Sequence, residues 1–123
     1  MSKAQLTKLF GARLKEHPAF DGVLRLDEPQ PLCGGNFEVL FFFDPQKPKA
    51  GLVGESLELE GSGNANGHVG DCLLRQFTAK YGKPVLPRPP SGEYYFAGDR
   101  VVLIIATTRV SIIYRGRGPF IGI

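Results

Sequence analysis

Residues 100–115 read RVVLIIATTRVSIIYR, the densest run of β-branched side chains in the chain, and their reading decides the fold. Residues 101–106 are apolar on both faces, the pattern of a central strand with neighbours on either side and cover above and below. Residues 110–114 make a second strand, and the polar Thr107, Thr108 and Arg109 supply the turn between the two. A third strand precedes them, because Tyr94, Tyr95 and Phe96 lead into Ala97-Gly98-Asp99, where Gly98 can take the positive φ of a tight hairpin. The expected unit is an antiparallel meander.

Composition sets the frame around it. The chain has 123 residues, of which 42% are hydrophobic and 22% charged, the mix of a single soluble domain able to bury a core without disulfides or metals. The opening MSKAQLTKLF holds no apolar run of signal-peptide length, and no later segment is long enough to span a bilayer, so a cytoplasmic protein with no membrane partner is expected. Cys33 and Cys72 are its two cysteines. In a reducing compartment they are expected as unbonded, metal-free thiols, with Cys33, beside two glycines, the more reactive. The net charge of +3 is uneven: residues 1–60 carry seven basic and nine acidic side chains, and residues 61–123 eight and three. The second half is the basic one.

Working outward, Ser2 and Gln5 have capping-box spacing, and Leu6, Phe10 and Leu14 follow at intervals of four, so the spacing predicts an amphipathic helix stopped before Pro18. Residues 20–36 read as irregular, with one optional edge strand near residues 23–26 and then Pro29, Pro31, Gly34 and Gly35. Residues 37–43 form a clear strand with Phe37, Val39, Phe41 and Phe43 on one face, and residues 52–60 form another in which Gly54 marks a bulge. GSGNANG, residues 61–67, reads as a linker loop. A second helix over 69–81 presents Val69, Cys72, Leu73, Phe77 and Tyr81 on one side, with Gly82 as its C′ residue and Pro84 barring continuation. The fold expected is a single α+β domain over residues 1–123: one curved antiparallel sheet of about five strands with two helices, in the order α-β-β-α-β-β-β. Its core is drawn from Phe37, Val39, Phe41, Leu57, Leu59, Leu73, Phe77, Val101, Leu103, Ile105, Ile112 and Tyr114.

From Leu57 to Tyr114 the chain places a strand, a helix ending in Lys80-Tyr81-Gly82-Lys83-Pro84, an aromatic strand, a Gly-Asp turn and the strand VSIIY. This passage, about half the chain, resembles a module of small bacterial proteins without an assigned activity, some of them encoded on mobile gene cassettes. The resemblance implies a fold and carries over no catalytic residue.

Chemical constellations are sparse. Cys33 with His68 lacks a geometric link as a nucleophile and its base, and Cys33, Cys72, His17 and His68 lack the close-spaced knuckles of a zinc site. Glu58 and Glu60 alternate with Leu57 and Leu59 as a solvated strand face. The glycine-rich loop has neither a dinucleotide fingerprint nor a Walker lysine. The reading therefore leans away from an enzyme, with no metal, no cofactor and no catalytic residues. It favours a binding module acting through protein contacts, including a homo-oligomer, because Leu40, Phe42 and Ile113 lie on the sheet face opposite the core and require cover. One alternative is a small-molecule pocket between helix and sheet lined by Phe41, Phe43, Phe77, Tyr94 and Tyr95. A second is weak single-stranded nucleic-acid binding through Arg109, Arg115 and Arg117.

Overall fold

The computed structural model describes residues 2–47, 51–61, 65–106 and 109–116, with the backbone alone at Ala65 and Asn66. Helix α1 (Lys3–Phe10) begins as the capping box predicts: the Ser2 hydroxyl accepts the Gln5 N–H at 3.1 Å, and the Gln5 side chain accepts the Ser2 N–H at 2.8 Å. It ends at Gly11, not before Pro18. Gly11 takes φ +59 and donates its N–H to Thr7 O, a conformation that residues with a β-carbon resist. After one 3-10 turn, Leu14 opens strand β1 (Leu14–Glu16).

Eight strands are described rather than about five, and the order is α followed by five strands, then α followed by three. The additional ones are short: β1, β2 (Val23–Leu26) and β3 (Gln30–Leu32). All are consequences of β4 (Gly35–Phe43). One edge of that nine-residue strand pairs with β5 (Leu52–Leu59), and the other needs hydrogen-bond partners along its length. β2 takes Leu40–Phe42 and β3 takes Gly35–Phe37, and β1 then pairs with β2. The meander of β6 (Glu93–Phe96), β7 (Val101–Ala106) and β8 (Arg109–Arg115) forms as its composition predicts, with Thr107 and Thr108 of its turn outside the described residues. The sheet runs β1-β2-β4-β5-β8-β7-β6, every pair antiparallel, with β3 beside β4. The register of β4 on β5 shifts between Phe42 and Phe43, so the predicted bulge falls at Val53, next to Gly54.

Helix α2 runs Ala65–Tyr81, four residues earlier than predicted, taking the last three residues of the expected linker loop into the helix; residues 62–64 of that loop are outside the described set. Gly82 closes it at φ +89 with its N–H on Thr78 O, the expected C′ geometry. Val69, Leu73 and Phe77 of α2, together with Leu6 of α1, are buried against the sheet on one side only. Gly70 permits the close approach, since a β-carbon there would sit 2.9 Å from Ile105 Cγ2. Ten of the twelve predicted core residues are buried, and Leu59 and Ile105 are half-buried at its margin.

The expectation of two free thiols is overturned. Cys33 and Cys72 are joined by a disulfide with Cα atoms 5.9 Å apart. Cys33, at φ +51, and Gly34, at φ +81, make the tight β3–β4 turn, which swings the sulfur onto α2. A turn and a helix separated by 39 residues carry no sequence signal that they meet. The bond removes both sulfurs from the stock of nucleophiles and metal ligands.

Candidate interaction face

Alternation on β4 turns Phe37, Val39, Phe41 and Phe43 to the helices and Glu38, Leu40 and Phe42 to the opposite side. The register carries that second face across the sheet in transverse rows. A middle row holds Arg25, Leu40, Ser56, Ile113, Val102 and Tyr95, one residue from each of six strands. On one side of it runs Glu38, Glu58, Ser111, Ile104 and Glu93. On the other lie Val23, Phe42, Gly54 and Arg115, with Arg100 next to Arg115 through the Arg115 N–H to Arg100 O bond.

None of the middle-row residues belongs to the core cluster that the helices cover. Val102 is 2% exposed, and Ser56 and Ser111 are buried as well, while Leu40, Phe42, Ile104, Ile113 and Tyr95 are half-buried. An apolar band thus crosses a sheet face that, among the described residues, neither helix covers, between two charged borders. At the first border Ser56 Oγ donates to Glu58 Oε1 at 3.1 Å, Ser111 Oγ donates to Glu58 Oε2, and Arg109 Nε donates to Ser111 Oγ at 2.7 Å and lies 3.6 Å from Glu58 Oε2. Glu58 is therefore a fixed member of a network, not the freely solvated side chain expected. At the other border Arg115 is 3.3 Å from Asp99. At the end of the middle row the Arg25 Nε is shielded and meets no acceptor among the described residues.

Two further features lie off this face. At the β1–β2 edge a cleft of about 250 Å³ is lined by Lys3, Glu16, His17, Phe20, Asp44 and Pro45 among others, with Phe43 at its inner side. The loop that walls it is held by Gly22, whose carbonyl accepts the Phe43 N–H at 2.7 Å and whose β-carbon, had it one, would strike the Phe43 carbonyl. Inside the core, Glu55 is 1% exposed, flanked across the strands by Phe41 and Tyr114, and neither carboxyl oxygen has a hydrogen-bond partner among the described residues. Burial pushes its carboxyl up to about 8, so the group carries its proton at neutral pH. Burial, then the nearby Tyr81 and Glu55, raises the Tyr114 phenol as well.

The predicted site residues are dispersed. Phe41 packs on Phe10 with ring centroids 5.8 Å apart, whereas Phe77 meets Phe96 at 5.7 Å and Tyr81 at 5.9 Å edge to face, and both Phe41 and Phe77 are buried core rings. Tyr94 and Tyr95, adjacent on β6, face opposite sides of the sheet. Tyr94 packs against the core, and Tyr95 donates its hydroxyl to Glu93 at 3.2 Å on the outer face. Arg109 and Arg115 occupy opposite ends of β8, each beside a carboxylate, and Arg117 lies outside the described residues. The rows themselves are beyond sequence reasoning: the period-2 pattern marks two faces, and only the pairing register shows which outer residues align. In comparisons with known proteins, no family model, curated protein or solved structure matches the chain.

Proposed function

We propose that the protein is a non-enzymatic interaction module that acts through protein contacts on the outer face of its sheet, self-association included. The observation that supports it is the band of Leu40, Ile113, Val102 and Tyr95 on the side of the sheet that neither helix covers. Beside the band Ser56, Glu58, Ser111 and Arg109 satisfy one another, which lowers the cost of taking that part of the face out of water. The Cys33–Cys72 bond favours an oxidising compartment as the place of action over the cytoplasm expected from sequence. Among the described residues no helix is long and apolar enough to cross a membrane.

Light scattering over a hundredfold range of concentration tests the reading. The mass of the native protein is expected to rise with concentration, and Ile113→Lys, which puts an unpaired charge in the middle of the band, is expected to hold it at the monomer while leaving the far-ultraviolet spectrum unchanged. A native mass that stays at the monomer throughout contradicts self-association.

A further inference from the structure

We infer that the partner of the outer face is a second copy of this chain, docked sheet to sheet about a two-fold axis that runs along the middle row. The inference rests on the interaction-face reading and goes beyond it by fixing the occupant and its orientation. Two identical sheets meeting face to face have two simple in-plane axes available, one along the strands and one along the transverse rows. The apolar band satisfies both. The borders do not. Glu38, Glu58 and Glu93 stand on one side of the band, with Arg109 paired to Glu58, and Arg115 and Arg100 on the other, with Asp99 paired to Arg115, so the first border is acidic on balance and the second basic. An axis along the strands lays acid on acid and base on base. An axis along the rows turns the second copy end for end, so each acidic border meets a basic one.

In that arrangement Leu40, Ile113 and Tyr95 pack against their own symmetry mates. Glu58 descends over Gly54 of the second copy, where the absence of a side chain leaves room one strand away from that copy's Arg115. Glu93 falls one strand from the second copy's Arg100. Glu38 arrives over the second copy's Phe42, and Arg25, at the end of the middle row, meets its own symmetry mate across the axis. Each contact of a border residue occurs twice, and each of a middle-row residue with its own mate once. Six strands about 4.8 Å apart and three rows about 6.8 Å apart present roughly 25 by 20 Å, on the order of 500 Å² in projection, somewhat below the ~800 Å² per partner of a standard interface. A reversible dimer, not an obligate one, is the expected product.

The experiment is a charge exchange read by sedimentation velocity. Arg100→Glu alone and Glu93→Arg alone each place like charges together twice in the dimer, whereas a mixture of the two variants restores both opposite-charge contacts. The expected result is association of the native protein that weakens with added salt, a dimer dissociation constant raised at least about tenfold for each variant alone, and recovery to within about threefold of native in the equimolar mixture. Arg100→Gln, expected to fall between native and Arg100→Glu, guards against a fold defect, as do matched thermal midpoints. If the native protein associates but the mixture does not recover, the row-axis dimer is overturned and the interaction face survives. If the native protein stays monomeric at every concentration, the second copy is overturned as the occupant together with self-association.

Discussion

At the scale of single residues, Glu55 is the side chain least at ease in this fold. Its carboxyl is held near pKa 8 against an ordinary 4.5, with burial as the cause. A carboxyl whose folded value is raised retains its proton while the unfolded chain releases it, so folding stability is full below pH 4.5, declines as pH rises, and levels off above pH 8. At pH 7 the cost is about 3 kcal/mol by linkage. Glu55→Gln keeps the shape and removes the titration, and is expected to gain about that much at pH 7 and little at pH 4.5. Urea melts of both proteins across this range check it, because the difference between them isolates this one group. Nothing in the sequence marks Glu55: ESLELE offers Glu55, Glu58 and Glu60, and even alternation puts Glu55 with Leu57 and Leu59. That grouping is correct, and a polar residue on an apolar strand face is easily discounted. The reverse error applies to Glu58, whose exposed-face position is legible and whose bonds to Ser56 and Ser111 need the register of β5 on β8.

At the scale of elements, legibility follows length and repetition. β4, β5, β7 and β8 carry six or more residues of consistent alternation or continuous apolar character, and each stands where its pattern puts it. β1 and β3 are three residues each, and β3 contains Pro31; β3 pairs on the open edge of β4 and β1 on that of β2, a tertiary demand that local propensity does not encode. The first helix is shorter than its stripe of apolar residues for a related reason. Leu14 continues the line of Leu6 and Phe10, but Gly11 reaches φ +59 and diverts the chain into the sheet, where Leu14 still packs on the core from β1. The disulfide joins the short β3–β4 turn to α2 and closes a loop of 39 residues, which in the chain-entropy account stabilises the fold by about 4 kcal/mol. Reduction, or the pair Cys33→Ser and Cys72→Ser, is expected to lower unfolding stability by about 2–4 kcal/mol while the sheet persists. Denaturant titration with and without reductant measures it, and an unchanged midpoint would show that the two elements are held by packing alone.

At the scale of the whole molecule, the fold is a sheet with a lid on one side. The α+β class, the antiparallel sheet and the two helices are readable in the sequence because composition, periodicity and short connections agree on them. The mean hydropathy is close to neutral at −0.08, yet apolar groups stand on both sides of the strands, and two helices can cover only one. The alternation of Leu40 and Phe42 with Phe41, and of Ile113 with Ile112, carries this imbalance in the sequence itself. Which outer residues form a continuous band, and that charge divides on either side of it, follows from register alone. The aromatic and basic groupings drawn from sequence fail to assemble for the same reason, since neighbours in sequence such as Tyr94 and Tyr95 are on opposite faces and Arg109 and Arg115 are a strand-length apart.

That the outer face is buried against a partner face in solution can be read at its own methyl groups. Relaxation of the Leu40, Ile104 and Ile113 methyls by a soluble paramagnetic agent can be followed from dilute to concentrated protein, with Leu9, 60% exposed on α1, as the internal reference. Protection of the three outer-face residues is expected to grow with concentration while Leu9 stays accessible. Relaxation of all four that is independent of concentration would contradict a buried outer face.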